Sequence, residues 1–516
     1  MRARRSLLRL GVAAIALLGV AGCGGDSDDN GDDGAARNGS GGSGTLVYGF
    51  AGGGLTSLDP NRTTSGTEKP LASLLYDGLT TRAPDGSTQP GLAESWTTSD
   101  DGRTWTFELR AGVTYHDGRP FTADDAVANI ERVLDPEVGS QALKRVADVK
   151  KATAKDDQTL VVKLKKPNAL FPDGLTDLRM SDVETIDQIN KTANGTGPYK
   201  LDGFVPDDRV TLKRNPDYWG EPGGLGTIEI VRAADATSAV TSLRTGELSV
   251  LWGVPPSDAK SLEGSGSIKF IEPERFSGTV TWELDTTSPP FDDPRARQGL
   301  AHAVNRDAFL EAAFQGVGET SPANSPISAS SPAYASGLTP YEYDLDKAKA
   351  LFEQAGVKEL TFWTTAGRNP QWVTMAEILQ QDLEKIGVEL KIQQKEVSAW
   401  LEKFFPAGQK YPGTIIANYL SLPPVPAYDL QFFVSGSCEC NWNNAEYDEL
   451  LATALETQDE AQRFEQLEQL QAMVAEEVPV VIPLHSATIV AAQSGVEGVW
   501  VESEGTPHLE GATIGS

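Results

Sequence analysis

Few side chains in this 516-residue chain could do covalent or metal chemistry, and their spacing argues against most of it. The 4 histidines, His116, His302, His485 and His508, lie far apart in sequence, which leaves little material for imidazole base or metal chemistry. Ser257-Asp-Ala-Lys260 matches the Ser-x-x-Lys pair of acyl-transfer enzymes, but the companion Lys-Thr-Gly is absent. No Gly-x-Ser-x-Gly elbow, phosphate loop, dinucleotide fingerprint or His-Glu-x-x-His occurs. With 73 acidic residues, carboxylate pairs arise by chance and point to no reaction. Asp26, Asp28, Asn30 and Gly31 open a calcium-loop pattern, yet its twelfth position is Arg37 where a bidentate glutamate is needed. Cys438 and Cys440 stand one residue apart, where a small-ring disulfide and free thiols are both open and a metal site lacks further ligands. The chain reads as a non-enzyme with no catalytic residue, no metal and no cofactor.

Residues that could hold a molecule without reacting with it fall at the ends of predicted strands. Trp252-Gly253 follows the strand-like Glu247–Leu251, Trp363 ends Glu359–Phe362, and Asn418-Tyr419-Leu420 ends another strand. Open α/β folds bind ligands beyond the carboxyl ends of strands, and an aromatic there can stack on a ring or cover an aliphatic chain. Trp442 is a weaker case of the same kind, and each tryptophan read alone also suits a core. The elements around these residues alternate between strands and helices with Gly/Pro turns, the pattern of an α/β protein. Strands are expected at Leu46–Phe50, Thr104–Leu109, Leu160–Leu164, Thr211–Lys213, Ile228–Val231, Val388–Ile392 and Val480–Leu484. Helical spacing runs through Pro294–Gln315, Leu345–Ala355, Gln371–Ile386 and, as two helices, Asn444–Glu476. Asp344 and Gly356 are the expected caps of the second of these. No internal repeat is seen.

Length and charge set outer bounds. The chain carries 44 basic and 73 acidic residues, a net of −29, which argues against nucleic acid or an anionic membrane surface as partner. The first residues, with Arg2, Arg4, Arg5 and Arg9 before the apolar run Leu10–Gly22, have the order of an export signal and are too short to span a bilayer. Val20-Ala21-Gly22-Cys23 resembles a bacterial lipobox, which implies cleavage at residue 22 and a lipid on the Cys23 sulfur. Sec and twin-arginine export both stay open. Residues 23–44 are Gly-, Ser- and Asp-rich and read as a flexible tether. The body beyond them exceeds what one core supports, so at least two lobes are expected.

The segment from Leu92-Ala-Glu-Ser-Trp through Trp105-Thr-Phe-Glu-Leu-Arg and Tyr115-His-Asp-Gly-Arg-Pro-Phe to Ala126 resembles the signature of bacterial extracellular solute-binding proteins of family 5. Gly195-Thr-Gly-Pro-Tyr-Lys200, Lys213-Arg-Asn-Pro-Asp-Tyr-Trp-Gly220, Asp293–Ala308, Tyr343–Lys349 and Met375–Val388 continue the resemblance in order, from about residue 46 to about 500. The resemblance implies a two-lobed, type II periplasmic-binding-protein-like fold with hinge strands and an inserted domain. The expected parts are a first lobe of residues 45–80, 196–285 and 491–516, an insert at 81–195 and a second lobe at 286–490. It further implies a monomer, anchored by lipid on the outer face of the cell membrane, that captures a peptide-like or other organic solute between closing lobes for an ABC importer permease. Thr64-Ser65-Gly66-Thr67 falls where these receptors place a cleft loop. A sensory lipoprotein on the same scaffold is the alternative, and a hydrolase would need a nucleophile and base that are not found.

Two departures bear on the ligand. The resemblance implies that peptide receptors pair the peptide's amino group with an aspartate before an Asp-Pro-like turn in the second lobe. In this chain Leu422 or a neighbour takes that place, and Asp429 comes several residues later. Dipeptide receptors hold the carboxylate with an arginine just before Met-Ala-Glu. Here Val373-Thr374 precede Met375, and Arg368 is the nearest arginine. A buried ammonium without a counter-ion is costly. A longer or blocked peptide, an oligosaccharide and a metal chelate therefore stand beside the free-ended dipeptide.

Overall fold

The computed structural model describes residues 42–62, 68–140, 142–221, 223–365, 369–404, 408–421 and 425–515. The expected export signal, Cys23, most of the tether, Thr64-Ser65-Gly66-Thr67, Arg368 and Leu422 lie outside the described residues.

The chain builds two mixed α/β lobes, each around its own sheet. The first sheet has seven strands in the order Ile268–Ile271, Val490–Gln493, Val250–Trp252, Gly42–Ala51, Leu225–Ala233, Arg209–Arg214 and Tyr199–Val205. Gly42–Ala51 pairs in parallel with both of its neighbours. A parallel strand is covered on both faces, so it must be apolar on both. Leu46, Tyr48 and Phe50 accordingly enter one core, while Val47 and Ala51 pack on another that includes Val240 and Leu243 of the helix Ala236–Thr245. Gly49 lies between them because a Cβ there would collide with Leu248.

An inserted domain interrupts this lobe. Its antiparallel sheet orders Ala93–Thr98, Thr104–Leu109, Thr159–Leu164 and Val149–Asp156. Trp105 and Phe107 share one side of their strand and pack with Phe171, as period-two alternation requires. The helix Ala123–Leu134 starts where Asp125 Oδ2 accepts from Thr122 N at 2.8 Å, and its apolar stripe joins the same core.

The second sheet has six strands, in the order Glu319–Thr320, Val480–Ser486, Gly278–Leu284, Thr414–Ser421, Glu359–Thr364 and Glu389–Gln394. Gly278–Leu284 is buried throughout and hydrogen-bonds antiparallel on both sides. The first-lobe segment expected at 196–285 therefore runs too far, and the chain crosses to the second lobe between Ile271 and Gly278. A second correction concerns Pro294–Gln315, which forms two helices, Pro294–Ala303 and Arg306–Phe314. Val304 turns extended, and the Asn305 side chain accepts from Ala308 N at 3.1 Å, so a side-chain cap starts a new helix inside the helical spacing. Asp344 caps Leu345–Ala355 by accepting from Lys347 N, and Gly356 closes that helix at φ +71°.

One carboxylate ties together the segments where the chain leaves the first lobe for the insert and returns from it. Asp77 accepts from Thr196 Oγ1 at 2.8 Å, Trp219 Nε1 at 2.8 Å and Tyr218 OH at 3.0 Å. Burial pushes its pKa up, and the three donors oppose that push. Beside it, His116 Nε2 stands 3.1 Å from Gly197 O, a carbonyl that also accepts from Asn215 Nδ2 at 3.1 Å. The two motifs Gly195–Lys200 and Lys213–Gly220 thus meet where the chain leaves and re-enters the lobe. Replacing Asp77 by alanine leaves the buried Thr196 hydroxyl and the half-buried Tyr218 and Trp219 donors without this acceptor, so Asp77→Ala is expected to lower stability by about 3 kcal/mol. Urea unfolding followed by tryptophan fluorescence measures this, and Asp77→Asn, which keeps an acceptor, loses less.

Candidate functional site

The site is built where the chain passes between the sheets. It crosses twice, from Ile271 to Gly278 and from Ser486 to Val490. The loop Glu502–Thr506 ties both passages to the first lobe. Ser277 N donates to Ser503 O at 3.1 Å, and the two serine hydroxyls share a hydrogen bond of 2.8 Å. Thr488 N donates to Glu504 O at 3.1 Å. Gly505 has φ +102°, and a Cβ there would stand 2.5 Å from Thr488 N, so this close approach requires glycine.

Trp252 and Gly253 are held at this floor. Trp252 Nε1 donates to Gly505 O at 2.9 Å, which leaves the indole half-buried beyond the carboxyl end of its strand. Gly253 takes φ +80°, and its N–H donates to Ile489 O at 3.0 Å. Two charged groups join them that sequence spacing did not single out. Lys69 Nζ lies 3.0 Å from Glu504 Oε1, with Lys69 partly exposed and Glu504 buried. Thr506 Oγ1 donates to the same oxygen at 3.3 Å, while Glu504 Oε2 is buried with no hydrogen-bond partner among the described residues. Desolvation raises the Glu504 pKa, against the pull of Lys69.

The second lobe brings Tyr419 to the floor. Its hydroxyl donates to Ser486 O at 3.3 Å, at the start of the second crossing. Burial, and then the charge of Glu504, push that hydroxyl up to about 12. Trp252, Gly253, Lys69 and Glu504 from one lobe and Tyr419 from the other therefore converge near both crossings. Nothing local marks Lys69 or Glu504 in the sequence, since they stand 435 positions apart.

The remaining expected residues lie elsewhere. Asn418 is turned into the second lobe, where its Nδ2 donates to the buried Glu283 Oε1 at 2.8 Å. Leu420 lines a small internal cavity with Thr279, Thr281, Pro326, Asp429, Phe433 and Ile482. Asp429 is buried there, its pKa pushed well up by desolvation, which favours a neutral carboxyl over a counter-ion. Trp363 is half-buried, and Lys395 Nζ covers its ring at 4.7 Å. Trp442 is a correction: it is a core residue, 6 % exposed, with its ring edge-on to Tyr447 at 5.1 Å. Cys438 and Cys440 are joined as a disulfide in that same core, with Cα atoms 5.1 Å apart. Among the described residues, no group of three or more His, Cys, Asp or Glu side chains is placed to hold a metal ion. No described helix is long and apolar enough to cross a membrane.

A buried charge cluster supports the floor loop from behind. The Trp500 ring stacks on His508 at 3.8 Å, and His508 lies between Glu502 Oε1 at 2.8 Å and Glu510 Oε1 at 3.2 Å. Burial alone would lower the His508 pKa, but Glu510 and Glu502 push it up to about 9. Desolvation would raise Glu510, but the imidazolium holds it down at about 2.

Comparison with known proteins gives a consistent match. The family model described as "Bacterial extracellular solute-binding proteins, family 5 Middle" matches residues 87–438. The dipeptide-binding protein of Escherichia coli K12 is 29% identical over 91% of this chain and 94% of its own length. The glutathione-binding protein GsiB of the same organism is 28% identical over 87% of this chain and 91% of its own. Among solved structures, DppA from Helicobacter pylori in complex with the peptide STSA superposes with a TM-score of 0.73 at 25% identity, covering 90% of this chain and 98% of that one.

The His508 cluster sets a pH window. A raised histidine pKa stabilises fully below the unfolded value of about 6.5 and is lost as pH rises through about 9. A lowered glutamate pKa stabilises above the ordinary 4.5 and is lost as pH falls through about 2. His508→Gln is therefore expected to cost roughly 2 kcal/mol more at pH 6 than at pH 10. Urea unfolding at the two pH values checks this, and an equal loss at both contradicts it.

Proposed function

The chain belongs to the bacterial extracellular solute-binding proteins of family 5, and from that premise we propose that it captures a peptide-like solute for an ABC importer. The observation that carries the reading is the floor between the lobes. One lobe presents an aromatic, Trp252, beside a carboxylate and an ammonium, Glu504 and Lys69, and the other presents the Tyr419 hydroxyl. A solute touching both walls is bound by both only when the lobes are closed, so binding favours closure. A closed, loaded receptor is the form for a permease to recognise. The peptide- and glutathione-binding relatives support a ligand with amide bonds and charged ends. In this reading Glu504 and Lys69 take polar groups of the ligand, and Trp252 covers its apolar part. Cys23 carries the lipid that keeps the monomeric receptor at the outer face of the membrane.

Native mass spectrometry of the exported chain from its own host, followed by denaturation, identifies what it carries. One peptide or a ladder of peptides is the expected result. A sugar or chelate mass would replace the peptide assignment while leaving the receptor role. With a recovered peptide as probe, Trp252→Ala and Glu504→Gln are each expected to weaken binding by about tenfold in calorimetry. Wild-type affinity in both variants would remove the hinge floor from the binding surface. Metabolic labelling with palmitate tests the anchor, which Cys23→Ser should abolish.

A further inference from the structure

A second contact between the moving parts lies away from the hinge. The inserted domain is continuous with the first lobe, and Asp77 ties together the segments where the chain leaves and re-enters that lobe, whereas the second lobe is joined to it covalently only at the two crossings and touches it through the surface ion pair Lys260–Glu311 at 2.7 Å. Any direct contact between insert and second lobe can therefore form and break as the lobes close and open. One such contact is well defined. After the strand Thr159–Leu164, Pro167 and Asn168 turn the chain outward, with Asn168 Oδ1 accepting from Leu170 N at 2.9 Å. Ala169 N then donates to Leu455 O, in the second lobe, at 2.8 Å. Leu170 is 6 % exposed, and the apolar cluster it joins is otherwise made of second-lobe residues, among them Val425, Tyr428 and Phe433. Arg145, also from the insert, lays its guanidinium over the Tyr428 ring at 4.4 Å, and Tyr428 OH approaches Leu170 O at 3.5 Å.

Three kinds of interaction thus meet at one place: an apolar peg, a backbone hydrogen bond and a cation–π stack. None of them involves the hinge floor. Each side chain is anchored in its own domain, Arg145 by Asp177 at 3.9 Å and Tyr428 by the start of the helix Pro426–Gln431. Separating the domains would expose Leu170 and leave Ala169 N to water, so the contact favours the arrangement in which insert and second lobe touch.

We propose that the inserted domain acts as a latch, in which the Leu170 peg and the Arg145–Tyr428 stack hold the second lobe closed over the ligand and set how long it stays. This rests on the two-lobe capture reading but not on which solute is captured. It gives the insert a role in residence time and leaves recognition to the hinge floor.

The test uses the full chain freed of bound solute by unfolding and refolding, so that no ligand enters the measurement. Spin labels at Asp124→Cys and Ala452→Cys, both exposed and one on each side of the latch, report the distance between insert and second lobe. The labelled parent is expected to show a short-distance, closed population without ligand. Leu170→Ala and Arg145→Met are each expected to cut the closed-to-open ratio at least tenfold, with thermal melting little changed for Arg145→Met, whose side chain is partly exposed. Tyr428→Phe, which keeps the ring, should retain most of the closed population. Identical distance distributions in the parent and both latch variants would overturn the proposal, as would a parent that is wholly open. Failure of the capture reading would appear separately, as no solute in native mass spectrometry while the latch variants still shift the distances.

Discussion

Everything that moves in this molecule is constrained by the chain passing only twice between its two sheets. Each passage is short, and each is hydrogen-bonded to the same loop, Glu502–Thr506, through Ser277–Ser503 and Thr488–Glu504. Both covalent links between the lobes therefore lie along one narrow seam. The seam also gathers side chains from both lobes. Trp252 is oriented by the carbonyl of Gly505, Glu504 is held between Lys69 and Thr506, and Tyr419 reaches in from the other lobe beside the second passage. A residue in this loop that needed a Cβ at position 505 would push the second passage away and displace the site with it.

Buried polar nodes do the joining that apolar cores cannot. Cores are additive and tolerant, whereas a carboxylate with three donors accepts one geometry only. Asp77 uses this to hold together the two ends of the first lobe between which the insert is placed, and the His508 trio uses it to brace the floor loop. The contact around Leu170 is of another kind. It is mostly apolar with one stack and one backbone bond, and such a surface can part and re-form without stranding a buried charge. Rigid polar joints inside each moving body, and an apolar joint between them, are what a hinged receptor needs.

Much of the architecture was legible before any coordinates. Leu46–Phe50, Thr104–Leu109 and Leu160–Leu164 are strands because their apolar spacing fits a pleat, and Leu345–Ala355 begins and ends at its expected caps. The helix boundary inside Pro294–Gln315 was hidden because Asn305 caps from within an unbroken helical spacing. The site was half legible. Trp252, Trp363 and Trp442 look alike in sequence, each near a strand end or turn, yet one borders the hinge, one lies under a lysine and one fills a core. Tyr419 faces the hinge and its neighbour Asn418 the second-lobe interior, because adjacent residues on a strand face opposite sides and the side facing the hinge depends on the partner strand.

By itself, the sequence determined the family, the α/β class, the presence of an insert and the absence of recognisable reaction motifs. These properties are written in local spacing and in motifs whose residues lie close together along the chain. Tertiary structure alone decided that Gly278–Leu284 belongs to the second sheet, that Thr196, Tyr218 and Trp219 converge on Asp77, and that Lys69 meets Glu504. The physical reason is that these are pairings across long chain separations. Strand register and the desolvation of buried charge select them, and neither leaves a trace in the residues beside them.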